Sequence, residues 1–226
     1  MRPIDPLKVI TSLIVIFFAI GIHEYAHCKL ADAAGDPTPR YYGRVTLNLF
    51  KHFDAFGSMM ILVTVLSGFG LGWGKPAPMD SRKMRNPRWD FFAAVAAGPI
   101  SNFLQATLFA VVIRVLSATQ PGLIHLGQAD FLSALLINGV IINLALMYFN
   151  LVPLGPLDGH WLLGQFLPEE SRYRWNVWSQ TTGTYILFGL IILGNLSDLD
   201  PLGRVLLPPV VATFNFLTGQ HAVLAG

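Results

Sequence analysis

The chain has 226 residues, 53% of them hydrophobic and 12% charged, with a formal net charge of +2. Soluble domains carry about 25% charged residues, so the composition excludes a water-soluble enzyme or a nucleic-acid-binding surface and points to a polytopic membrane protein. One cysteine, Cys28, excludes an internal disulfide and a cysteine-based zinc site.

Apolar segments fall at about 7–29, 54–72, 90–117, 131–150, 182–197 and 203–217. Segments near 20 residues fit membrane helices, so the expected fold is all-α, with about five or six transmembrane or re-entrant helical segments. The run from Leu7 to Ile22 holds one charged side chain, Lys8, and leads into His23-Glu24-Tyr25-Ala26-His27. Arg2 and Lys8 before the run and Ala31-Asp32-Ala33 after it imitate a signal peptide. Cleavage there would discard both histidines, so residues 7–29 are read as a retained membrane helix. Histidines four apart project from one helix face. This is zinc-hydrolase spacing: two neutral imidazoles for a metal, and in Glu24 a carboxylate to take a proton from the attacking water.

Gly35-Asp36-Pro37-Thr38-Pro39 is rich in turn formers. Beyond it Val45, Leu47 and Leu49 alternate with Thr46 and Asn48, which predicts a strand and a small β-hairpin. Residues 54–72 carry glycines at 57, 68, 70 and 72, better suited to a re-entrant or broken hairpin than to a plain span. A basic, proline-punctuated loop follows at 73–89. The segment 131–150 runs into Asn150-Leu151-Val152-Pro153, then Leu157-Asp158-Gly159. An ionisable residue at the end of a membrane segment is a functional candidate, and a His₂ site needs one more oxygen ligand. Asp158 is the best placed, since Asp130 and Asp198 fall in loops and Asp90 opens a helix it can cap. His125 and His221 read as loop and tail residues. Sharing a metal puts the outgoing ends of 7–29 and 131–150 on one side. The cations Lys29, Arg40, Arg44 and Lys51 and the basic cluster at 75–88 place that side at the cytoplasm.

Four elements together resemble the site-2 protease family of intramembrane zinc metalloproteases: His23-Glu24-x-x-His27, Gly72-Trp73-Gly74-Lys75-Pro76, Ala97-Gly98-Pro99-x-x-Asn102, and Asn150-x-x-Pro153 to Leu157-Asp158-Gly159. They follow the family's order over roughly residues 15–165. The resemblance implies membrane helices around one Zn²⁺ held by His23, His27 and Asp158, with Glu24 as general base. It also implies cleavage of single-span membrane proteins in the lipid bilayer, with no nucleic-acid partner. One membrane-embedded domain over 1–226 is expected, with the catalytic core at about 7–165 and C-terminal helices at about 180–217, and without the PDZ or nucleotide-sensing modules some relatives append. Where many relatives have a second glycine after the aspartate, this chain has His160.

An integral protein of the plasma membrane with its active site towards the cytoplasm follows from these expectations. Asn150 is a candidate oxyanion donor or, equally, a cap where its helix breaks at Pro153. Asn102 is a candidate for contact with substrate or the metal's surroundings, or for an interhelical hydrogen bond. His52 and Asp54 are candidates for orienting a second metal or the active-site water, or ordinary interfacial loop residues. A helical substrate buries its scissile amide, and Val45, Thr46 and Leu47 offer an edge onto which an unwound segment could add. Two other functions compete: a metal-binding membrane protein without protease activity, and a zinc hydrolase acting on lipid. Intact Glu24 disfavours the first, because binding zinc does not require it.

Overall fold

The computed structural model describes residues 5–67, 72–127, 130–197 and 199–220, so Gly68, Gly70, Asp198 and His221 lie outside the described residues. α1 spans Pro6–Ala33; Pro6 fills its first turn, and Asp5 caps it by accepting from the Leu7 amide at 3.0 Å. Its 28 residues rise about 42 Å, more than the ~30 Å hydrocarbon core. The buried side chains Thr11, Val15, Ala19, His23 and His27 recur every four residues. One ridge of α1 therefore faces inward, and both histidines ride on it.

α2 (Thr38–Tyr41) and a 3₁₀ turn (Leu49–His52) lead to α3 (Ala55–Ser67). After an irregular stretch at 72–80, α4 (Trp89–Thr119) and α5 (Phe131–Asn150) pack on α1. Pairing of His27 with Ala94 and of Ala19 with Asn102 makes α4 antiparallel to α1. Asn138 meets Thr11 while Asp158 meets His27, so α5 runs parallel to α1. α6 (Asp158–Phe166) is followed by α7 (Glu169–Trp178), a π turn (Ser179–Gly183) and α8 (Thr184–Leu196), which form one continuous helix over Glu169–Leu196. α9 (Pro201–Thr218) sets Val210 and Phe214 against Ala110 and Ile113 of α4 and Ile137 and Leu144 of α5.

Among the described residues, four helices are long and apolar enough to cross a membrane: α1, α4, α5 and the continuous α7–α8 helix. The expected segment 182–197 is thus the apolar half of a longer helix whose polar first turns, Glu169-Glu170-Ser171-Arg172, hid it from a hydropathy reading. Pro208-Pro209 does not interrupt the segment at 203–217, because α9 runs through both prolines. α3 has 13 residues, about 20 Å, too short to cross. Its flanks also meet: the Lys75 amide donates to the His52 carbonyl at 2.8 Å, and Phe56 lies 5.5 Å from Trp73. Residues 53–74 therefore leave and return to one place. A Cβ on Gly72 would strike the Ile61 backbone, so the returning chain needs glycine there.

The expected β-hairpin does not form: among the described residues there is no strand, and Val45, Thr46 and Leu47 lie in consecutive bends. Side chains take the place of a ladder. The Thr46 carbonyl accepts from His52 Nε2 at 3.0 Å, and Thr46 Oγ1 accepts from the Asn48 amide at 3.1 Å. Alternation in a polar–apolar segment cannot tell a paired strand from a folded loop whose apolar residues alternate by chance.

Candidate metal centre

His23 and His27 occupy the inner ridge of α1, and each is oriented through Nδ1. His23 Nδ1 donates to Asn102 Oδ1 on α4 at 2.7 Å, and His27 Nδ1 donates to the Ala94 carbonyl at 2.8 Å. Holding Nδ1–H fixes the tautomer and frees Nε2 as a metal donor. The two Nε2 atoms stand 3.0 Å apart, and Asp158 Oδ2 lies 3.2 Å from the first and 3.3 Å from the second. Asp158 arrives because the chain after α5 turns back through Leu151–Leu157 and opens α6 with the carboxylate in its first turn.

Zinc bonds of about 2.0–2.2 Å in a tetrahedral array put donor atoms about 3.3–3.6 Å apart. The three donors form a triangle close to that size, so His23, His27 and Asp158 fit a zinc ion. Glu24 lines the same cavity, of about 410 Å³, and its Oε2 is buried with no partner among the described residues. A buried carboxylate oxygen left unpaired costs stability and marks a functional position.

The centre is crowded from the α4 side. A Cβ on Gly98 would land on the imidazole of His27 and within 2.6 Å of His23 Cε1. Asn102 is fully buried, and its amide is fully used: Oδ1 takes His23, while Nδ2 donates to the Ala19 carbonyl at 3.1 Å and to Asn143 Oδ1 at 3.0 Å. Asn102 therefore makes the expected interhelical hydrogen bonds and touches the metal's surroundings by aiming His23, and its amide has no hydrogen left to offer a substrate. Asn143 was not singled out from sequence. It donates to the Gly139 carbonyl at 2.8 Å and completes the chain of amides, and a lone asparagine in an apolar helix was the signal for it.

Asn150 lines the cavity while Nδ2 donates to the Leu146 carbonyl at 3.0 Å, so both sequence roles have support. His52 is fully buried on Arg44 and Thr46, and Asp54 Oδ1 accepts the Gly57 amide at 2.8 Å as the cap of α3. Neither is turned to a second metal. His160 packs on Trp161, its Nδ1 bound to the Leu157 carbonyl, and orients no metal donor. Gly72, Trp73, Gly74 and Pro76 form one wall of the cavity, next to Glu24.

Compared with known proteins, the chain is 31% identical over 215 residues to a protein of Bacillus subtilis (strain 168) described as "Putative zinc metalloprotease YwhC". The alignment covers 91% of this chain and 88% of that one. No family model matches the chain, and no solved structure does. Likeness over nearly the whole length, together with the four motifs and a donor triangle sized for zinc, places the chain: it belongs to the site-2 protease family of zinc metalloproteases.

Proposed function

We propose that the protein is an intramembrane zinc metalloprotease that hydrolyses peptide bonds in or near the membrane-spanning segments of single-span proteins. The observation that carries this is the triangle of His23, His27 and Asp158 donors set beside an unpaired Glu24 carboxylate between apolar helices. A bound zinc supplies a Lewis acid that polarises the scissile carbonyl and brings the pKa of a coordinated water to about 7. Glu24 takes the proton of the attacking water on its free oxygen and passes it to the leaving amine. Asn102 and the Ala94 carbonyl hold both imidazoles in the tautomer that leaves Nε2 open. Asn150, at the cavity mouth, turns its amide to the developing oxyanion when substrate displaces its bond to Leu146. Van der Waals closure by Ile20, Leu146 and Phe149 keeps bulk water from the site while the polar side chains retain what hydrolysis needs.

The site lies towards the cytoplasmic side of the plasma membrane in this proposal. Lys29, Arg40 and Lys51 near its rim are exposed, as the positive-inside rule requires, whereas Arg44 is buried and does not count towards it. The whole chain acts as one membrane-embedded catalytic domain.

The test compares wild type with Glu24→Gln for zinc content and for cleavage of single-span substrates in liposomes. Glu24→Gln is expected to keep zinc and lose cleavage by about 10³-fold or more. Full cleavage by this variant would overturn the mechanism. Turnover of lipid with no cleavage of spanning peptides would replace the protease by a lipid hydrolase.

A further inference from the structure

Arg44 is a buried cation, 3% exposed, that neither holds the metal nor moves the proton. Its hydrogen bonds all go to neutral acceptors: the Lys75 carbonyl from Nη2, the Pro76 carbonyl from Nη1 at 3.3 Å, and His52 Nδ1 from Nε and Nη2 at 3.5 Å. Burying a guanidinium is costly unless its donors are met, so three acceptors converging on one residue are a built feature. His52 is itself braced by the Thr46 carbonyl and receives the Lys75 amide on its own carbonyl. Residues 44–52 thereby grip 75–76, which ties the chain entering α3 to the strap that follows it.

What that grip controls is the strap that walls the catalytic cavity. Gly72, Trp73, Gly74, Pro76 and Ala77 all line it. A Cβ on Gly74 would come within 2.5 Å of Ile20 Cγ2 and 3.2 Å of Glu24 Cγ, so the strap lies directly on the general base. The metal donors, in contrast, sit on α1 and α6, are aimed from α4, and receive no hydrogen bond from Arg44.

We propose that Arg44 is a positioning residue, which through the carbonyls of Lys75 and Pro76, and with His52 as its brace, holds the strap as the wall against which a substrate segment seats beside Glu24. This rests on the protease function proposed above. Arginine suits the task because a rigid planar fork meets two successive carbonyls and an imidazole together, where an ammonium offers one compact point of charge.

The experiment uses the full chain in a Cys28→Ala background, with Ala77→Cys as a maleimide probe of the strap, and Arg44 kept or changed to Gln or Lys. Zinc per chain, labelling rate at position 77, and KM and kcat on a spanning peptide are read together. Arg44→Gln is expected to keep wild-type zinc, raise labelling by about fivefold, and raise KM by about tenfold with a smaller change in kcat. Arg44→Lys should fall between the two, since it restores charge without the fork. Unchanged labelling at position 77, or zinc lost together with activity, overturns the proposal. Should Arg44→Gln not fold, the labelling rate of Arg44→Lys decides on the same terms. If wild type cleaves no spanning peptide, the protease function fails while the labelling still decides whether Arg44 holds the strap.

Discussion

The two sides of the catalytic cavity are built differently. On the helix-bundle side, each imidazole is aimed by a bond from α4, and the amide chain Asn143–Asn102–His23 links three helices. On the other side, the strap at 72–77 is a stretch without regular secondary structure, fastened by Arg44 and by the pairing of His52 with Lys75. On the proposed function, metal binding is then a property of the bundle, and access of substrate to Glu24 a property of the strap. Mutations should separate the two.

The largest effect is expected at Gly98. Adding a methyl group there drives a carbon onto the His27 ring, while alanine in a helix interior gains about 1 kcal/mol over glycine. Gly98→Ala should lose zinc affinity by more than the 10–100-fold typical of an outer partner, and lose cleavage with it. The zinc-free form should be destabilised by no more than about 1–2 kcal/mol, because an overpacking cost of about 1–3 kcal/mol is partly offset by the better helix former. Wild-type zinc binding by Gly98→Ala would show that the bundle side is not crowded as described.

Asn102→Leu keeps the branched shape but leaves His23 Nδ1, Asn143 Oδ1 and the Ala19 carbonyl without their Asn102 partner. Zinc affinity should fall about 10–100-fold, measured by competition with a chelator. KM at saturating zinc should change little, because the strap is untouched. A selective rise in KM would instead assign Asn102 to substrate binding and blur the division between the two sides.

The bundle side was far more legible in the sequence than the strap side, for a physical reason. His23, His27 and Asp158 are costly in apolar segments, so their presence alone flags them, and helical periodicity puts the histidines on one face. The partners that aim them were less visible: Asn102 was noticed but its donors could not be counted, Asn143 was passed over, and the Ala94 carbonyl leaves no mark in a side-chain pattern. On the other side, glycines and the charge of the flanks indicated a re-entrant path, and the structure joins its ends at His52 and Lys75. The alternation at 45–49 misled because loop geometry is set by long-range bonds, here from Arg44 and His52, that no local period encodes. Arg44 looked like one more cytoplasmic cation for the same reason.

The strap side should respond to pH through His52. Burial, the largest influence, holds its imidazole below the usual histidine value; the Thr46 carbonyl pulls it partly back up, and the nearby Arg44 charge adds a smaller push down. The folded state therefore favours neutral His52, whose Nδ1 can accept from Arg44. The resulting stability is fully present above about pH 6.5, the unfolded value, and is lost as pH falls towards the folded value. Besides Arg44, the Tyr25 ring faces His52 at 6.3 Å. Labelling at position 77 in the Ala77→Cys background, taken relative to a free thiol at the same pH because only the thiolate reacts, should rise as pH drops below about 6.5, and His52→Gln, which does not titrate, should flatten that rise. Equal pH profiles would detach His52 from the strap. Every other group is common to both proteins, so the difference between the profiles reports His52.

The smallest effect is expected at Leu47, and it tests whether a strand has any part in the strap side. Leu47 is 70% exposed, and the bend that carries it is held by bonds to Thr46 rather than by Leu47. Surface truncations of this kind stay within about 0.5 kcal/mol in stability, a factor of about two in an equilibrium. Leu47→Ala should keep zinc content and kcat/KM within about twofold of wild type, assayed on spanning peptides in liposomes. Had residues 45–47 been an edge that pairs with substrate, loss of a side chain that packs along the added strand would raise KM well beyond this. A tenfold rise in KM at unchanged zinc would mean that the segment straightens when substrate arrives. The wall beside Glu24 would then be a surface remade by binding, and Arg44 would hold only its resting form.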